Sequence, residues 1–145
     1  MFEKLYLIVK NYAQSAIINN PLISGQNHEA IQIEASSTII EVLKGHMESG
    51  KIDELIHFFQ LPGFDYHALI KKIENKFAYK LSNYYGIDIV NAIIISNNLI
   101  QPVMFELIKQ SKSKQNKEFL LSNMLTKLNG NRVDLSSLVN RLSIA

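Results

Sequence analysis

Residues 87–110, IDIVNAIIISNNLIQPVMFELIKQ, decide the fold, because apolar side chains recur through them at helical spacing while Pro102 interrupts the middle. Gly86 suits the left-handed residue that follows a helix end, and Asp88 can cap the helix that opens here. Proline removes one backbone donor and clashes with the preceding turn, at about 3 kcal/mol inside a straight helix. The spacing therefore predicts two helices, about 88–97 and 100–111, with Pro102 at a break or kink. The stretch has nearly the ~20 residues a membrane span needs. Asp88, Asn91, Ser96, Asn97, Asn98, Gln101 and Glu106 interrupt it, however, and a charge in mid-bilayer costs several kcal/mol. A buried helical segment is the reading.

Working outward, Phe2, Leu5, Ile8, Val9, Tyr12, Ala16 and Ile17 follow the same period until Asn19-Asn20-Pro21 ends it. Asn27 is the expected cap of a helix burying Ile31, Ala35, Ile39, Val42, Leu43 and Met47, with Ser49-Gly50 as its stop. A short helix over Ile52–Phe59 closes at Leu61-Pro62-Gly63. Asp65 is the expected cap of a fourth helix with the stripe Leu69, Ile73, Phe77, Leu81 and Tyr84. After a polar loop, KSKQNK (112–117), come helices around Phe119–Leu128 and beyond Asp134. No segment alternates as a strand would. The expected architecture is one all-α domain, 1–145, of seven or eight short helices. Phe77, Leu81, Ile93, Ile94, Val103, Leu107 and Ile108 are the expected core. Segments 38–63 and 99–130 share an order of apolar helix, polar loop, shorter helix and Gly-containing stop, a candidate internal repeat that ordinary helix-loop-helix grammar explains equally well.

At 145 residues the chain is long enough to bury a core without staples. With no Cys, disulfides, thiol nucleophiles and thiolate metal sites are excluded. The opening MFEKLYLIVKNYA lacks the basic start and long apolar run of a secretory signal, so a cytoplasmic location is expected. Net charge is +2, divided as −4 over residues 1–70 and +6 over 71–145. That polarity suits an anionic partner or head-to-tail association, or is simply a solvated surface whose charges fell unevenly.

Catalytic signatures are missing. Phosphate-binding glycine loops and nucleophile elbows do not occur, and the six Gly sit at helix ends. Glu54 and His57 share one helical face, but a di-metal carboxylate site needs two such pairs and two further Glu. Glu34, Glu41 and Glu48, seven apart, describe the wet face of a helix. The turn at Gly86 invites a helix-turn-helix reading, yet the helix after it carries no basic side chain to read bases.

The opening MFEKLYLIVKNYAQSAIINNP, the turn-and-helix YYGIDIVNAIIISNNLIQPVMFELI and the tail FLLSNMLTKLNGNRVDLSSLVNRL together resemble an uncharacterised bacterial group, the YidB-like family of unknown function. The resemblance implies a multihelical fold and supplies no activity and no functional residue. The chain departs from that group in having few Gly and a bulky PGFDYHALIKKIENKFAYKL in the middle.

The functional expectation is a non-catalytic protein-interaction or scaffold module, with no cofactor and with self-association as its commonest form. Phe58, Phe59, Leu61, Phe64 and Tyr66 form the candidate interaction patch, unless they plug the bundle end instead. Nucleic-acid binding through the basic half is the first alternative, with Lys112, Lys114 and Lys117 as candidate anion contacts. A metal-dependent enzyme built on Glu54 and His57 is the second.

Overall fold

A computed structural model describes residues 2–60, 67–112 and 121–128. Within them the chain is all-helical: α1 (Phe2–Ala13) runs into a π-turn (Gln14–Ile18), and a 3-10 turn (Gly25–Asn27) leads to α2 (His28–Glu48). Then come α3 (Ile52–Gln60), α4 (His67–Tyr85), α5 (Ile89–Ser111) and α6 (Leu121–Leu128). The expected all-α class holds. The described residues hold six α-helices against the expected seven or eight: Ile89–Ser111 forms one helix where two were expected, and the helix expected beyond Asp134 lies outside the described residues. Asp65, Asp134, the loop after Lys112 and parts of both repeat segments lie outside the described residues.

The α4–α5 hairpin is the most closely packed pair, backed by α2 on the α4 side and α1 on the α5 side, while α3 touches both α2 and α5. Its corner is built as the residues require. Gly86 has φ of 68°, a conformation that a side chain would strain. Ile87 is buried and its amide donates to the Leu81 carbonyl at 3.4 Å. The Asp88 carboxylate then accepts from the Asn91 amide N–H at 3.2 Å and from the Asn91 side chain at 2.6 Å. Those two bonds, the side-chain one foremost, hold the Asp88 carboxyl below its usual range. After α1 the π-turn closes through Asn19 N–H to Gln14 O at 2.8 Å, and the Asn20 side chain accepts from Leu22 N–H across Pro21.

Pro102 neither breaks nor ends α5. The expected break is wrong for an energetic reason. Proline forfeits one backbone hydrogen bond, whereas Leu99, Ile100, Val103 and Met104 on either side are fully buried. Each such side chain is worth about 1.5–3 kcal/mol out of water, so keeping one helix outweighs the lost bond. The carbonyl deprived of its donor belongs to Asn98, an exposed residue where water can serve it.

Of the seven expected core residues, Phe77, Leu81, Val103, Leu107 and Ile108 are buried, but Ile93 and Ile94 are not. The run Ala92–Ile95 wraps most of the way round the helix, so only part of it can face inward. Ala92, Ile95, Ser96 and Leu99 take the inner side, and Ile94 is left 51% exposed. Tyr84 is also exposed, contrary to its place on the expected stripe, while its neighbour Tyr85 packs against the core. Asn27 precedes α2 as expected but makes no side-chain cap.

Of the three acids read as a wet face, Glu34 and Glu41 hold α2 to α4, and Glu48 is exposed. Lys80 Nζ lies 3.2 Å from Glu34 and 2.9 Å from Glu41, and Lys76 Nζ lies 2.9 Å from Glu41. Lys80 also donates to Thr38 Oγ1 at 3.1 Å. Part of the −4/+6 division of charge is therefore cancelled inside the fold. Hydrogen bonds from Lys76 and Lys80 hold the Glu41 carboxyl below its usual value. Burial pulls Lys80 down, but the carboxylates of Glu41 and Glu34 more than offset it and leave it raised. A depressed carboxyl contributes stability above its unfolded pKa and loses it as pH falls through the folded one; a raised lysine loses its contribution as pH rises through its folded pKa. Glu41→Gln should thus be less stable than wild type at neutral pH, by about 1 kcal/mol or less for so exposed a pair. The gap should begin to close only as pH falls below the ordinary glutamate value of 4.5, and again only as it rises past the ordinary lysine value of 10.5. Urea denaturation of both proteins across that range checks it.

Candidate functional site

Two of the five residues of the expected patch are not at the surface. Phe58 and Phe59 are buried in the core, packed edge to face with ring centroids 5.1 Å apart. They plug the bundle, which was the competing reading. Leu61, Phe64 and Tyr66 lie outside the described residues, as do Lys114 and Lys117. Lys112 is exposed just past the end of α5.

Exposed apolar residues occur on α1, α2 and α4 as well, and α5 carries a run of them. From Ile89 to Phe105 no residue carries an ionisable side chain. Its outward residues are Ile89, Val90, Ile93 and Ile94, then Asn98 and Gln101, then Phe105. Val90 is 64% exposed and Phe105 54%. Along the helix, Val90, Ile94, Asn98, Gln101, Phe105 and Lys109 follow one another at steps of three and four, which aligns them as a single stripe. The signal was available in the sequence as a charge-free run. Reading that run as wholly inward hid it.

Under the stripe, α5 is pinned to α4 by a polar lock. Ser96 Oγ donates to the Glu74 carbonyl at 2.6 Å, and Gln101 Nε2 donates to the Glu74 carboxylate at 3.3 Å. With the Asn97 amide turned to donate, its nitrogen lies 2.6 Å from the same carboxylate oxygen. Glu74 is only 4% exposed, so these amides stand in for the water it gave up. The lock fixes the rotation of α5 and thereby which isoleucines face outward.

A second feature sits where α2, α3 and α4 meet. His46, Lys51, Glu54, Phe58, Ala68, Leu69 and Lys72 line a cleft of about 350 Å³. His46 Nε2 lies 3.1 Å from Glu54 Oε2, joining the end of α2 to α3 across the Ser49-Gly50 turn. Glu54 thus engages His46 from another helix, and among the described residues no group of three or more His, Asp or Glu is placed to hold a metal ion. No described helix is long and apolar enough to cross a membrane. No family model, curated protein or solved structure matches the chain.

Proposed function

We propose that this protein is a non-catalytic interaction module that self-associates through the outer stripe of α5. The observation that carries the reading is the exposed, charge-free run from Val90 to Phe105 on a helix whose rotation Glu74 fixes. Contiguous apolar surface rimmed by polar residues marks interaction sites. A second copy is the occupant that fits, because a two-fold interface must be complementary to itself. An antiparallel pairing centred near residues 97 and 98 sets Val90 of one copy against Phe105 of the other, and Ile94 against Gln101. Asn98 then meets its own counterpart, and an amide carries both donors and an acceptor, so it pairs with itself. Lys109 is brought toward Asp88 of the opposite copy. No like charges oppose one another along the run.

Nucleic acid fits this face poorly, since Lys109 at one end is the only cation along the stripe to neutralise phosphates. The stripe is about 24 Å long and one helix wide. That is small beside the ~800 Å² per partner of tight complexes, so the association is reversible and concentration-dependent.

Sedimentation equilibrium tests this. Wild type should show a monomer–dimer equilibrium that persists in high salt, and Val90→Asp with Ile94→Asp should be monomeric at every concentration. A wild type that stays monomeric at its highest soluble concentration, or a double variant that still dimerises, would overturn the reading.

A further inference from the structure

The geometry points to the α2–α3–α4 cleft as a binding site for a small anionic amphiphile, a carboxylate head on a short apolar body. It is independent of the α5 stripe, sharing no residue with it. The cleft has two kinds of wall. Phe58 and Leu69, both almost wholly buried, form its floor, and Ala68 beside Leu69 in sequence is small and exposed. The polar wall comes from three helices and a turn: His46 from the last turn of α2, Lys51 from the turn, Glu54 from α3 and Lys72 from α4.

The charges do not balance across this wall. Glu54 is already engaged by His46, whose side chain is largely covered. Lys51 and Lys72 have no ion-pair partner among the described residues. Two ammoniums from separate elements therefore border an apolar floor with no carboxylate of the described residues paired to them. A neutral apolar ligand leaves those ammoniums unused, and a hydrophilic anion leaves the floor wet. A molecule with one anionic end and one apolar end uses both. A volume near 350 Å³ is at the small end of ligand sites, which limits the body to a short chain or a single ring. Glu54 at the rim disfavours a second negative charge on the ligand, so a monoanion fits better than a dianion.

Octanoate is the probe, titrated into the full chain with binding read from amide shifts in two-dimensional NMR. Octanol and acetate serve as controls lacking the head and the body respectively. Binding in the millimolar range is expected, with shifts centred on residues 46–58 and 68–72 and with both controls at least tenfold weaker. Lys51→Gln with Lys72→Gln should weaken octanoate about tenfold without changing the melting temperature, since both side chains are exposed. Ala68→Trp, which fills the cleft from an exposed position, should abolish binding. Octanol binding as well as octanoate, shifts located elsewhere, an unaltered affinity in the lysine double variant or no shifts at all would each overturn the proposal. Because the α5 stripe is untouched by these variants, the dimer measured by sedimentation should survive them.

Discussion

Ile95→Asp is expected to unfold the protein or remove several kcal/mol of its stability, while Ile94→Asp, one residue earlier, is expected to melt within about 0.5 kcal/mol of wild type in dilute solution. The two positions share a side chain, a helix and a composition window. They differ in rotation: Ile95 is 2% exposed and Ile94 51%. An aspartate at 95 must either give up its charge or carry it into a core of Leu99, Ala92 and the α4 residues behind them, without a partner. At 94 the same carboxylate stands in water. Urea denaturation of both variants, at concentrations low enough to keep the chain monomeric, reads the difference directly. Equal effects at the two sites would mean that α5 is rotated from the orientation its contacts with Glu74 define.

That pair also shows where the sequence stopped being informative. Several helix ends were legible because they are local chemical events, although Asn27 makes no side-chain cap. Pro21 removes a donor, Gly50 and Gly86 take positive φ, and Asp88 caps. Which side of a helix faces inward is a global fact. The run Ala92–Ile95 is apolar nearly all round, so period alone does not orient it. What orients it is a buried carboxylate one helix away, which no spacing rule connects to Asn97 and Gln101. Pro102 was misjudged for the opposite reason. The local penalty is real, and it is overruled by four buried side chains whose worth appears only once α1 and α4 are in place. Glu34 and Glu41 looked solvated for want of a partner in their own helix; Lys76 and Lys80, on α4, supply it. Of the candidate site, the aromatic cluster was visible and its position was not. The charge-free run was visible too, although it reads equally as core.

Phe59→Ala is expected to destabilise the protein by about 3–5 kcal/mol, as truncation of a fully buried aromatic residue does. Phe59 is 0% exposed and lies against Phe58 in a helix of nine residues that touches both α2 and α5. So short a helix has little stability of its own, because it barely repays its nucleation. It is held by what it buries: Leu55, Ile56, Phe58 and Phe59. Removing one ring takes away contact area and leaves a void that the surrounding helices fill only in part, because the packed core does not flow. Phe59→Leu keeps most of the volume and should cost less than about 1.5 kcal/mol. A domain of this size has roughly 5–15 kcal/mol in hand, so the alanine variant consumes about a fifth of it or more. Were Phe59 part of an exposed docking patch, the alanine variant would instead keep wild-type stability and lose a partner. Chemical denaturation therefore separates a plug from a patch, and a Phe59→Ala protein within about 0.5 kcal/mol of wild type would remove α3 from the core.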